Sequence, residues 1–134
     1  MTSHQLFLVK YTWKLLREVD SYVLGSVFYG RLFMTYPNLR SLFKNSLESQ
    51  HKKFVEMLSI IVARLDRPDV LSDEMRQLAQ RHLEYGVKPE HYQPVGEALL
   101  WTLEQGLGKD WNTEVKEAWS TCYATITQAM LAKT

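Results

Sequence analysis

One histidine, His82, stands at the end of an apolar helical stripe. Leu71, Met75 and Leu78 precede it at steps of four and three residues, which return to the same side of an α-helix. Gly86 follows four residues later, and glycine readily takes the left-handed conformation that ends helices. An imidazole that points the same way as three apolar side chains is a candidate metal ligand. A histidine satisfied within the core is the more common outcome at such a position, so other residues must decide.

Two further polar residues interrupt apolar surroundings. Tyr29 lies in a run of aromatic and aliphatic residues, and Gln50 lies between Leu47 and Phe54 at helical spacing. Both side chains can donate hydrogen bonds. The alternatives are a core tyrosine whose hydroxyl bonds to the backbone, and a surface glutamine near the start of a helix.

Length, composition and charge exclude several classes of protein. The 134 residues predict a single domain, residues 1–134, and 46% of them are hydrophobic. A net charge of +1 gives no preference for nucleic acid or membrane surfaces. Cys122 is the one cysteine, which excludes an internal disulfide and a cysteine-cluster metal site. Neither a leader-like start nor an apolar run long enough to span a membrane is present, so we expect a cytoplasmic protein.

Helical periods dominate the sequence, and no sustained alternation of apolar and polar residues predicts a strand. We therefore expect an all-α fold in which packed helices are joined by short loops. The predicted helices cover about residues 3–17, 21–34, 47–65, 72–85, 89–107 and 113–134, with a short turn at 37–43.

Several local signals refine these helices. Asp20 or Ser21 can cap the second helix, Ser72 the helix of His82, and Asn112 the last helix. Pro68 is predicted to stop the third helix. The second helix has one apolar stripe, flanked by Phe28, Leu32 and Phe33; the stripe consists of Val23, Val27, Gly30 and Met34. Its two glycines, Gly25 and Gly30, are expected to let another helix approach closely.

Three stretches of the sequence together resemble the globin family. They are residues 28–43 (FYGRLFMTYPNLRSLF), 81–87 (RHLEYGV) and 91–100 (HYQPVGEALL), and Ala118-Trp119 and Tyr123 extend the likeness over nearly the whole chain. The sequence is most similar to single-domain bacterial haemoglobins related to the globin domain of flavohaemoglobins, and its latter half also resembles neuroglobins. The resemblance implies the globin fold, a three-over-three helical sandwich around heme b, iron protoporphyrin IX.

The resemblance also implies a role for individual residues. His82 matches the proximal ligand to the iron, and Phe43 matches the phenylalanine that wedges against the haem face. Tyr29 and Gln50 match the two distal polar residues that act on the bound gas, and Phe54 the apolar residue one turn beyond Gln50. The remaining implied cofactor-binding residues are Phe33, Leu47, Leu78, Val87, Tyr92 and Val95 in the pocket wall, and Lys53 and Arg81 near the propionates.

A globin of this kind is expected to bind dioxygen, nitric oxide and carbon monoxide. Two distal donors favour slow oxygen release, which suits oxidation of nitric oxide to nitrate. That reaction needs an external electron donor or reductase, because the sequence has no room for a flavin or nicotinamide domain. The alternative is an oxygen carrier, store or gas sensor without turnover. A haem-free globin fold is disfavoured by the presence of Phe43 and His82. We expect a monomer or weak homodimer with no nucleic-acid or membrane partner.

Two features depart from the flavohaemoglobin pattern. The end of the last helix, residues 130–134 (MLAKT), has no carboxylate to support the proximal histidine. His51 directly follows Gln50, and we expect it to be a solvated surface residue because a neighbour in a helix is turned by about 100°. A slip of the helix would instead make His51 a sixth iron ligand, as the distal histidine is in neuroglobins.

Overall fold

The computed structural model describes residues 1–43, 47–84 and 86–132, without the side chains at positions 21, 47, 48, 68–70 and 132. All regular structure in these residues is helical, which confirms the predicted all-α class. None of the described helices is long and apolar enough to cross a membrane. Three short 3-10 turns separate or extend the helices, at Pro37–Leu42, Pro89–His91 and Gly108–Asp110. The α-helices are α1 (Ser3–Leu16), α2 (Ser21–Thr35), α3 (Leu47–Ala63), α4 (Pro68–Glu84), α5 (Tyr92–Leu107) and α6 (Thr113–Ala132).

The helices pack around one core. α2 packs on α3 and on α5, and α1 packs on α3, α5 and α6. α6 also packs on α4 and on α5. The core between them is apolar, and its most deeply buried large side chains include Trp119, Phe28 and Leu32.

Side-chain caps begin two helices where the sequence predicts them. Of the two candidates for α2, Asp20 is the cap: its Oδ1 accepts hydrogen bonds from the backbone N–H groups of Tyr22 (2.8 Å) and Val23 (3.4 Å). Asn112 Oδ1 accepts one from the N–H of Val115 at 2.9 Å at the start of α6. Each cap satisfies backbone donors that have no partner within the helix.

The predicted start of α4 is wrong. The helix begins at Pro68, so Ser72 lies inside it and does not cap it. Proline is well suited to the first position of a helix because its missing N–H would have no partner there and its φ is already helical. Pro68 therefore opens α4, while α3 has already ended at Ala63.

The apolar stripe that the sequence suggests is not the buried face of α2. Val23 and Met34 are 51% and 68% exposed, whereas Leu24, Phe28 and Leu32 are buried. This helix has large apolar residues on two faces, so periodicity alone does not distinguish them. The face with Phe28 is buried because it brings an aromatic ring against α3.

Gly25 is the point where α2 and α3 come closest. A Cβ atom at Gly25 would lie 2.6–2.8 Å from the Cβ, Cα and carbonyl oxygen of His51. The predicted close approach is therefore confirmed at Gly25. The predicted close approach is wrong at Gly30, which is exposed. A Cβ atom added there would meet no atom of a neighbouring element within 4 Å.

These two glycines give a matched pair of substitutions. Gly25→Ala should lower the free energy of unfolding by about 1–3 kcal/mol, because the added methyl group meets the α3 backbone. Gly30→Ala should raise it by up to about 1 kcal/mol, because alanine is the better helix former. Urea denaturation followed by circular dichroism measures both. Equal effects of the two substitutions would contradict the close approach at Gly25.

Candidate functional site

His82 lies in the last turn of α4 with one ring nitrogen already engaged. Its Nδ1 is 2.8 Å from the carbonyl oxygen of Leu78, one turn earlier in the helix. A carbonyl oxygen only accepts hydrogen bonds, so Nδ1 carries the proton and Nε2 keeps its lone pair. Burial lowers the pKa of His82; the bond to Leu78 opposes this and the charge of Arg81 adds to it. The imidazole is thus neutral, oriented and able to bind a metal through Nε2.

Tyr29 is the centre of an aromatic cluster formed where α2 meets α3. Its ring makes edge contacts with Phe28 and Phe43 at centroid distances of 4.9 and 5.2 Å. Phe33 stacks on it at 5.7 Å, and Phe54 of α3 meets it edge-on at 5.8 Å. Burial raises the pKa of Tyr29, so the phenol stays protonated and remains a donor. No hydrogen bond joins its hydroxyl to any residue that the structure describes.

The first turns of α3 contain the predicted distal residues. Gln50 is half-buried, and Phe54, one turn later, is buried and stacks on Phe28 with centroids 3.9 Å apart. The prediction that His51 is a solvated surface residue is wrong, because this residue is only 5% exposed. Its ring stacks on Tyr29 at 5.4 Å. The reason is the close crossing with α2, which covers the side of α3 next to Gln50.

The other predicted pocket residues fall into three groups. Phe33 and Phe43 join the aromatic cluster, and their rings lie 5.4 Å apart. Of the residues predicted to line the proximal wall, Leu78 is buried, whereas Val87, Tyr92 and Val95 are half-buried. Lys53 and Arg81 are exposed, as groups near propionates would be. The side chain of Leu47 lies outside the described residues.

Tyr92 is fixed by a neighbouring helix. The hydroxyl of Tyr123 on α6 donates a 2.6 Å hydrogen bond to the backbone carbonyl of Tyr92 at the start of α5. The Tyr123 ring lies against Gly96, where a Cβ atom would be only 2.6 Å from it. The beginning of α5 is therefore held against α6.

The two sides of the candidate site belong to helices that do not pack along each other. In the part of the chain that the structure describes, α3 and α4 are joined by an ion pair between Arg64 and Glu74, near the connection between them. Among the described residues α3 and α4 do not pack closely on each other, and α4 packs on α6 instead. The neutral, oriented His82 is the type of residue that holds the iron of a haem.

The sequence does not assign Phe28 to the site, and it suggests His51 only as a surface residue or as a sixth iron ligand. Phe28 contacts both Tyr29 and Phe54, and His51 contacts Tyr29. A signal for His51 was present: it precedes Phe54 and Leu58, both buried, by three and seven residues, which is the spacing of one helical face.

Comparison with known proteins assigns the family. The sequence matches the family model named Globin over residues 26–130. The chain belongs to the globin family. This membership supports haem-based binding of diatomic gases. The hydrogen bond from His82 to the Leu78 carbonyl is compatible with such binding.

Relatives of this globin differ in length. It is 32% identical to a protein named flavohemoprotein from Xylella fastidiosa, over 90% of this chain and 30% of the relative. It is 29% identical to an uncharacterised globin-like protein from Aquifex aeolicus, over 98% of this chain and 92% of that protein. The chain thus spans about 30% of the length of the Xylella fastidiosa flavohemoproteins that it matches.

A solved structure supports the predicted fold. The crystal structure of a hexacoordinated heme protein from an anhydrobiotic tardigrade superposes with a TM-score of 0.89 at 16% sequence identity. The match covers 99% of this chain and 94% of the tardigrade chain. The globin fold predicted from the sequence is confirmed.

Replacement of His82 tests the metal-ligand assignment. The His82→Ala protein should lose stable haem binding, because the side chain with the free Nε2 is gone, and added imidazole should restore part of it. Absorption spectra before and after gel filtration measure the haem retained. His4→Ala is the matched control, since His4 is an exposed histidine that contacts Glu114. Haem retention with an unchanged ferrous spectrum in His82→Ala would show that the ligand is another residue.

Proposed function

We propose that this globin binds heme b through His82 and uses the bound iron to oxidise nitric oxide with dioxygen. The observation that carries the proposal is the buried, protonated Tyr29, whose hydroxyl bonds to no other described residue. Such a hydroxyl is available to donate a hydrogen bond to a small ligand inside the pocket. The names of the flavohemoprotein relatives support a protein that combines haem with an electron supply.

His82 is proposed to hold the cofactor from the α4 side. The hydrogen bond from Nδ1 to the Leu78 carbonyl keeps the ring from rotating and directs the lone pair of Nε2 outward. A haem held in this way would supply the redox-active iron for the chemistry of the gas. Phe43 and the pocket wall keep water from the reacting gases through their apolar surfaces.

Tyr29 and Gln50 are proposed to act on the gas from the α2 and α3 sides. A phenol and a carboxamide are both hydrogen-bond donors, and both are neutral. Hydrogen bonds to an acceptor that carries partial negative charge contribute about 1.5–3 kcal/mol each. Two such donors retain dioxygen long enough to meet nitric oxide. The aromatic rings around Tyr29 limit the space to small molecules.

The proposed reaction requires an electron for each turnover. Dioxygen, nitric oxide and one electron give one nitrate ion, so atoms and charge balance. We propose that an external reductase of the flavin type supplies the electron, by analogy with the name of the flavohemoproteins. Lys53 and Arg81 are exposed and are proposed to contact the haem propionates.

The donor pair is tested by a double substitution. Tyr29→Phe with Gln50→Leu should raise the oxygen dissociation rate of the ferrous protein by about ten-fold or more, because both hydrogen bonds are lost. It should also slow the stopped-flow oxidation of nitric oxide by the oxygen-loaded protein. Tyr36→Phe is the matched control, since the Tyr36 hydroxyl bonds to Glu97 on the surface.

Two outcomes would change the proposal. Equal nitric oxide oxidation in the double variant and the wild type would remove the distal role of Tyr29 and Gln50. Fast oxygen dissociation from the wild type would instead favour a carrier, store or sensor, because such a protein must release its ligand.

A further inference from the structure

We infer that His51 is a positioning residue that sets the geometry between the two distal donors, Tyr29 and Gln50. The inference rests on the proposed function and concerns how that site is aligned. His51 itself does not touch the ligand in this proposal. It acts through its contacts with α2, which has Tyr29, and through its place beside Gln50 on α3.

The first contact fixes the backbone. The Cα, Cβ and carbonyl oxygen of His51 lie against Gly25, where no side chain separates the two helices. Tyr29 follows Gly25 by one helical turn and therefore lies on the same side of α2. Gln50 precedes His51 by one residue. The relative position of the two donors therefore depends on this one crossing.

The second contact fixes the Tyr29 ring. The His51 and Tyr29 rings stack with centroids 5.4 Å apart and planes at 21°. Tyr22 lies behind the imidazole, with centroids 5.0 Å apart and planes at 61°. His51 is only 5% exposed, so it has little room to move away from Tyr29. The phenol is thereby prevented from tilting, and the direction of its hydroxyl is fixed.

An aromatic ring is the required property at position 51 in this proposal. His51→Leu removes the flat surface and should leave Tyr29 free to take more than one orientation. His51→Phe keeps a flat ring on the same Cβ and cannot be protonated or bind iron. Comparison of these two variants therefore separates ring stacking from protonation of the imidazole and from iron binding.

The test uses the infrared stretching band of carbon monoxide in the haem-loaded ferrous protein. A hydrogen-bond donor near the carbon monoxide oxygen lowers the frequency, so the band reports donor geometry without turnover. His51→Leu should add a second band at the frequency seen in the Tyr29→Phe protein. It should also raise the oxygen dissociation rate about five-fold, because the hydrogen bond from Tyr29 is partly lost. His51→Phe should keep the single wild-type band.

The glycine pair provides an independent check. Gly25→Ala should add the same second band, because it displaces α3 from α2, and Gly30→Ala should leave the spectrum unchanged.

A single wild-type band in His51→Leu would overturn the inference. A change from a low-spin to a high-spin ferric spectrum in both His51 variants would also overturn it and identify His51 as an iron ligand. If Tyr29→Phe itself leaves the band unmoved, the proposed donor role of Tyr29 fails instead.

Discussion

The close approach of α2 to α3 at Gly25 is the constraint on which the aromatic side of the site depends. A glycine inside a helix costs about 1 kcal/mol relative to alanine. In this globin it allows the α3 backbone to reach van der Waals contact with α2. One turn further along α2 the chain places Phe28 on Phe54 and Tyr29 against His51. The ring contacts offset the cost of the glycine, since aromatic pairs contribute about 0.5–1.5 kcal/mol each beyond their buried area.

The His82 side is held by different contacts. α4 packs on α6 rather than along α3, and Tyr123 of α6 also fixes the carbonyl of Tyr92 at the start of α5. The two walls are therefore stabilised separately, one by the α2–α3 crossing and the other by α6. The contacts of the predicted site residues accordingly fall into two groups, the rings around Tyr29 and the hydrogen bond of His82 to Leu78.

The sequence predicted most of the fold because several helices have only one apolar face. Met75, Leu78 and His82 form the expected stripe of α4, with the histidine half-buried at its end. The prediction failed for α2, which has apolar residues on two faces. It also failed for His51, where residue type suggested exposure but a neighbouring helix covers the side chain. Which face meets which helix is a property of tertiary packing, and a single periodic segment does not contain it. The functional roles of Tyr29, Gln50 and His82 come from the resemblance to globins and stay predictions.

Burial acts on the two key polar groups in opposite directions and leaves both neutral. It raises the pKa of Tyr29, whose ionised form is an anion, and lowers the pKa of His82, whose ionised form is a cation. The phenol therefore keeps the proton that it donates, and the imidazole keeps the lone pair that it shares. An interior without net charge gives no advantage to charged ligands, which would lose their hydration on entry. In the proposed function, discrimination among the neutral gases comes from the direction and spacing of the donors, which we infer to be set where His51 lies against Gly25.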